Sequence, residues 1–458
     1  MSSFAIRARR LLDSEPGLFA ATLTLVAASR APFIEAAQGS DPDSWRVAAA
    51  AKSIAETHLY KPSRLPGYPF HEIACALLSP WAPAATNAVT ALLSAIGAAF
   101  FALTLRRLGR PHPLLLSLAF AMTPVVLVGS INTMDYLWSE AFLLCAGFAV
   151  VSGRPLWAGA MLGTAVGCRL TAGAMLLPLA WLLHQTSPRA DRRELVVKLG
   201  LSTLLVASGW FSPVLARHGL GFFTFDPEHP GAAGALKRAT VETWGVLGTV
   251  AVLVAVLASI GGPVKAATGP WLLAIALYLV AFARLPVKAG YLIPMIPATL
   301  VVLSYRLGRR ALVALSASLL ASSFVLGVQR RAGPNSFEIL GHPYSVEPLR
   351  GPLDLELSAR RERADYVARA RIEVQKLPPQ STLVTGSWGP PLRGLSTRDW
   401  CDTEADVECI DTLNAAAFHR RRAGGRAVYY LAGVEADNTE VTGLDLAAAG
   451  ARAVVVPQ

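Results

Sequence analysis

Apolar residues along this 458-residue chain come in long blocks, not at a helical or strand period. A bilayer core is crossed by about 20 apolar helical residues. Blocks of that kind lie near residues 17–36, 84–105, 113–130, 136–152, 156–168, 172–185, 196–213, 241–260, 270–284, 289–305 and 311–328. The pattern predicts an α-helical polytopic membrane protein of about eleven transmembrane helices. The first block carries Arg30, and the two separated by Cys168, Arg169 and Leu170 read either as two spans or as one broken helix. Past residue 330 the charges become dense and the apolar runs shorten to strand length. Residues 381–388, 426–433 and 452–458 read as short buried strands, and 355–376, rich in Arg, Glu and Ala, reads as helix. The expected division is a membrane domain over 1–330, with a long first outer loop at 37–83, and a small C-terminal extracytoplasmic α/β domain over 331–458.

Composition excludes an ordinary soluble domain, with 53% hydrophobic and 16% charged residues. The net charge of +11 changes the picture only through its placement. With Arg7, Arg9 and Arg10 in the cytoplasm, the short loops carrying Arg106, Arg107, Arg110, Arg154, Arg189, Arg192, Arg193, Lys265, Arg306, Arg309 and Arg310 fall on the same side. Residues 37–83, 131–135, 214–240, 284–288 and everything after about 329 then lie outside. The charge reads as membrane anchoring, with membrane lipids as partners, and no basic stripe interleaved with aromatics points to nucleic acid. A basic run before an apolar one, followed by Ala36 and Ala37, has the look of a cleaved signal. The alternation of the later loops requires a retained span instead. The alanine-rich, arginine-heavy composition suggests a bacterial source, which makes the membrane the inner one and the outside the periplasm.

Cys75, Cys145 and Cys168 lie in or beside apolar segments and read as small buried hydrophobes. Cys401 and Cys409 bracket an acidic loop in the outer domain, where a local disulfide is expected. No Cys or His cluster has zinc spacing and there is no HExxH, so no metal site is predicted.

The loop 37–83 is long for a connection between helices and rich in polar and aromatic groups, which marks it as functional. Within its GSDPDSWR stretch, Asp41 reads as a helix N-cap with Pro42 at the first helical position. WRVAAAAKSIAE then continues as an amphipathic helix on the membrane surface. Asp43 falls in the first turn, free to face a cleft.

Here the chain resembles a family. The acidic pair and aromatic, running into AAAAKSIAETHLYKPSRLPGYPF, look like the first outer loop of the multi-span GT-C glycosyltransferases that use polyprenyl-phosphate sugars, such as protein mannosyltransferases and lipid A aminoarabinose transferases. SINTMDYLWSEAFLLCAGFAV (130–150), GCRLTAGAMLLPLAWLL (167–183) and RLPVKAGYLIPMIPATLVV (284–302) resemble three further stretches of that family, in the same order and on the same side. The resemblance covers roughly residues 1–330. It implies a GT-C-like fold and transfer of a sugar from a polyprenyl-phosphate donor to a glycan, lipid or protein acceptor at the outer face. The plain Asp-Glu pair of many members is missing, so the counterpart of the family's catalytic acid is either Asp43 or Asp41.

Such a transfer needs a base for the acceptor proton, a geometry for attack opposite the phosphate, and cations to hold the leaving phosphate. Asp43 and Asp41 are the candidate bases. Arg64, Arg169, Arg284 and Lys288 are the candidate phosphate ligands, and Tyr68, Asp135, Glu140 and Tyr291 are further candidate substrate contacts. Each has a plainer reading. Arg64, Arg284 and Lys288 suit headgroup anchoring, Asp135 suits a tight turn, and Tyr68 and Tyr291 suit the interface. Arg169 lies between apolar segments and calls for a partner, either Asp135 or Glu140. No cofactor is required, though a divalent cation held through oxygen is compatible with the acids. The rival readings are a secondary transporter, disfavoured because acids and arginines gather at one face, and a non-catalytic scaffold of the same fold.

Overall fold

The first apolar block forms the helix Glu15–Arg30, begun where the Ser14 hydroxyl accepts from the Gly17 amide and Pro16 occupies the first turn. The computed structural model describes residues 12–35, 37–223, 231–260, 265–329, 336–339, 342–394 and 407–457. Among the described residues, three helices are long and apolar enough to cross a membrane: Ala84–Arg107, Arg192–Gly221 and Ala266–Arg284. The pair Ala232–Glu242 and Val246–Ser259, bent by 86°, makes a fourth if it acts as one span. The other apolar helices are shorter, among them Tyr136–Val151, Pro155–Cys168 and Met295–Ser304.

Several blocks read as single spans are broken, and proline supplies the reason at one of them. Block 113–130 becomes the helices Pro113–Met122 and Pro124–Gly129, because Pro124 cannot donate and the residue before it is pushed out of the helical region. The break frees carbonyls inside an apolar bundle, where an unmade hydrogen bond is costly. Arg30, fully buried, donates to the Ala121 carbonyl and to Ser130 Oγ (3.1 Å), and Ser323 Oγ donates to the Met122 carbonyl (2.9 Å). The awkward charge of the first block therefore caps a break in the third. Blocks 172–185 and 289–305 likewise begin as 3₁₀ turns, Leu170–Met175 and Ala289–Leu292, before becoming helical.

Close packing comes from small residues. Gly159, Gly163 and Gly167 line one stripe of the helix Pro155–Cys168. A Cβ added to them would come within 2.5 Å of Leu199 O, 2.7 Å of Val206 Cβ and 2.7 Å of Trp210 Cγ in the helix Arg192–His218.

Among the described residues the C-terminal part holds two sheets. Strands β1 (Leu326–Gln329), β2 (Ser336–Ile339) and β3 (His342–Pro348) form an antiparallel sheet in the order β1-β3-β2. The helix Pro352–Val374 follows. Strands β4 (Ser381–Val384), β5 (Val407–Ile410), β6 (Ala427–Leu431) and β7 (Arg452–Val454) then form a wholly parallel sheet in the order β5-β4-β6-β7. Strands expected at 381–388, 426–433 and 452–458 are present but shorter. The first sheet and β5 were not foreseen, and the boundary drawn at 330/331 falls between two strands of one sheet. Cys409 lies on β5, while Cys401 lies outside the described residues; Cys75, Cys145 and Cys168 are free thiols.

This C-terminal part is fastened to the bundle beside the first long loop. Leu353 packs with Leu127 and Ile131, and Arg360 donates to the Ile131 carbonyl (2.7 Å) and to Glu356 (2.7 Å). Glu356 in turn accepts from the Ser40 amide (3.1 Å) and hydroxyl (2.5 Å), and the helix Gly389–Gly394 packs on the helix Pro42–Thr57.

Candidate active site

Asp41 caps the helix Pro42–Thr57 through the Asp43 amide (2.9 Å), as the Asp-Pro pair predicts. The helix buries Val47, Ala51 and Ile54 against Cys75 and Ala76 of the helix Pro69–Leu78, which turns Asp43 inward. The segment between these helices is folded back on one buried acid. Glu72 accepts from Tyr60 Oη (2.5 Å), the Ser63 amide (2.7 Å) and the Tyr68 amide (3.0 Å). That clasp carries Arg64 and Tyr68 to the same end of the bundle. His71, one residue earlier, is buried against Trp138, and burial pulls its imidazole down to about 4, so it is neutral near pH 7.

Asp135 immediately precedes the helix Tyr136–Val151 and is wholly buried. Its turn is set by Thr133, whose hydroxyl bonds Gln38 and Asn87 at 3.0 Å each. Arg169 sits in extended conformation where the helix Pro155–Cys168 ends; Lys288 caps the 3₁₀ turn Ala289–Leu292, and Tyr291 lies within it. Gly290 is needed there, since a Cβ would come within 2.8 Å of the Tyr136 ring.

These segments converge on one charged network. Asp43 meets three cations from three parts of the chain: Arg46 at 2.9 Å, Arg64 at 3.4 Å, and Lys288 in direct ion pairing. Lys288 also grips both oxygens of Asp41 (2.8 and 2.7 Å). Arg64 reaches across to Asp135 (3.1 Å), which pairs on its other oxygen with Arg169. Three tyrosines surround the Arg169 guanidinium, with Tyr136 at 4.3 Å, Tyr291 at 4.5 Å and Tyr68 at 5.9 Å; Arg64 stacks on Tyr68 at 4.2 Å. Among the described residues three carboxylates thus face four cations, with one positive charge in excess.

Burial pushes the Asp43 carboxyl up, but Arg64, Lys288 and Arg46 outweigh it and hold the group well below the usual carboxylate range. Arg64 Nη1 and Tyr136 Oη are buried with no hydrogen-bond partner among the described residues. Unpaired buried polar groups are rare in native proteins, and a water, an ion or a ligand can supply the partner.

Of the residues named from sequence, Asp41, Asp43, Arg64, Tyr68, Asp135, Arg169, Lys288 and Tyr291 come together here. Two do not. Glu140 lies farther along the helix Tyr136–Val151, in an apolar cavity with Trp271, so Arg169 takes Asp135 as its partner. Arg284 is exposed at the end of the helix Gly269–Arg284 and makes none of the contacts that define the network. Sequence reading gave no role to Arg46, Tyr136 or Glu72. The i, i+3 spacing of Asp43 and Arg46 was a usable signal, whereas the Glu72 clasp had none. Among the described residues, no three His, Cys, Asp or Glu side chains form a group that could hold a metal ion. Comparison of the chain with protein-family models, with curated proteins and with solved structures finds no match.

Proposed function

We propose that the protein is a membrane glycosyltransferase of GT-C type, moving a sugar from a polyprenyl-phosphate donor to a hydroxyl acceptor. Its apolar segments sit in a bacterial inner membrane with the N-terminus cytoplasmic. The charged network and the C-terminal part lie on the extracytoplasmic side, at headgroup depth, where a lipid-linked phosphate resides. The observation that carries this reading is the convergence of Arg46, Arg64 and Lys288 on Asp43, next to Asp135 and Arg169, in a network with one cation to spare.

Without donor, Asp43 is a poor base because its three cations stabilise the ionised form. A donor phosphate offers Lys288 and Arg64 a competing anion, with Arg suited to bidentate contact. As those cations turn to the phosphate, Asp43 loses partners and its proton affinity rises toward that of a working base. The acceptor oxygen then bonds to the anomeric carbon, the bond from that carbon to the phosphate oxygen breaks with its electron pair leaving on the phosphate, and the acceptor proton passes to Asp43. Asp41 fixes Lys288 at the helix start, and Arg169, held by its tyrosines, sets the field at Asp135.

The test compares envelope glycans and polyprenyl-phosphate sugars by mass spectrometry in cells lacking the protein, rescued with wild type or with Asp41→Asn plus Asp43→Asn. Wild type is expected to restore a missing sugar, and the double variant to insert normally while the charged lipid donor goes unused. Equal rescue by both would overturn the reading.

A further inference from the structure

A cleft of about 420 Å³ lies between the helix Pro352–Val374 and the segment just before Asp41. Glu362, Arg363, Tyr366 and Arg369 share one helical face by their i, i+3 and i+4 spacing and, with Ala359, form one wall, while Ser40 and Trp388 stand opposite in the lining. Trp388 stands just past the carboxyl end of β4. From β4 the chain goes to β5 on one side and then crosses to β6 on the other, so this end is the switch point at which open α/β sheets bind ligands.

The lining is chemically specific. The Tyr366 and Trp388 rings lie 4.1 Å apart, and the Arg363 guanidinium lies 4.6 Å over the Trp388 ring. Arg363 Nη1 and Arg369 Nε are buried without a hydrogen-bond partner among the described residues. Guanidinium donors left unmade call for an anion, aromatic faces suit a sugar ring, and the Glu362 carboxylate is an acceptor for hydroxyls. Ser40 is the residue before Asp41, and Arg363 is near enough to Asp41 for their charges to interact.

We propose that this cleft is the acceptor subsite and that its occupant is a saccharide bearing an anionic group, carboxylate or phosphate. The proposal rests on the glycosyltransferase reading and gives its acceptor a chemical class. A saccharide seated beside Trp388 and Arg363 extends past Ser40 toward the Asp41 and Asp43 carboxylates, where a hydroxyl meets the base.

The test titrates the purified full-length protein in lipid nanodiscs, by calorimetry and without donor, with trigalacturonate, mannose 6-phosphate and maltotriose. At least one anionic probe is expected to bind about tenfold more tightly than maltotriose, and to weaken by a similar factor in high salt and in Arg363→Gln or Arg369→Gln. The probe that binds identifies the anionic group. Binding by neither anionic probe, no preference over maltotriose, no salt dependence in the wild type, or full binding in both folded variants would each overturn the proposal. The salt dependence keeps the test decisive if a variant fails to fold. Transfer measured in Asp43→Asn separates the two claims. Anion binding as expected together with undiminished transfer sinks the catalytic reading and spares the cleft. Lost transfer without anion preference does the reverse.

Discussion

Two ion-pair clusters of this molecule differ in a way that separates a self-contained brace from a network left open. On the parallel sheet, Glu408 of β5 is gripped by Arg421 through two bonds (2.9 and 2.6 Å), receives a third from Thr382 Oγ1 (2.9 Å), and has Arg426 at 3.7 Å. All three partners lie within the same small sheet unit, and both carboxylate oxygens are satisfied. The network around Asp43 joins its helix neighbour Arg46 to Arg64, Asp135, Arg169 and Lys288 from other segments, leaves Arg64 Nη1 and Tyr136 Oη without partners among the described residues, and carries a surplus cation there. The Glu408 cluster closes on itself, whereas the Asp43 network leaves buried donors unmade and a positive charge unmatched among the described residues.

The sharpest way to break the comparison is Asp43→Asn, which should lower turnover of the lipid-linked sugar by about a thousandfold with insertion intact. Glu408→Gln should leave turnover unchanged, and a radiolabelled-sugar transfer assay reads both. Next in size, Arg169→Met leaves buried Asp135 with Arg64 as its one ion-pair partner and should cost about 3 kcal/mol of stability, read as a lowered unfolding midpoint in detergent. Asp135→Asn in the same chain should recover part of that loss, as expected for a coupled pair. Glu408→Gln removes a partly solvated pair and should cost no more than about 1 kcal/mol by the same measurement.

The smallest effect concerns pH. Asp43 is held below its ordinary value in the folded state, so its contribution to stability is present above the unfolded value near pH 4 and is lost as pH falls toward the native one. Glu408, lowered chiefly by its bond to Arg421, follows the same sign. Asp43→Asn should therefore flatten the acid limb of a stability curve below about pH 4. An unchanged acid limb would mean that the three cations do not hold that carboxylate in solution.

Much of this site was legible in the sequence because it rests on local rules. The Asp41 cap follows from an Asp-Pro start, the inward Asp43 from the first-turn position, and the pairing of Arg169 from the cost of a lone charge among apolar segments. The contact between Lys288 and Asp43 spans 245 positions and has no periodicity to announce it. Strand β1 was hidden for a related reason. Its four residues continue the apolar run of the helix Arg309–Ser322, and the partner that makes them a strand, β3, follows only at His342–Pro348. Broken blocks were harder than whole ones, because hydropathy sees the apolar run and misses the proline that interrupts it.

The Ser40–Glu356–Arg360–Ile131 chain of bonds has a consequence for how this protein can be divided. Through it a single helix holds both the loop that ends in Asp41 and the turn that leads to Asp135, so the spacing of the site's acids is set from the far end of the polypeptide. A chain stopped before residue 352 would keep every charged residue of the network and lose the strut between them. The part of the chain from residue 352 on is thus a structural part of the candidate site, and two separately expressed pieces would have to find each other before either had one.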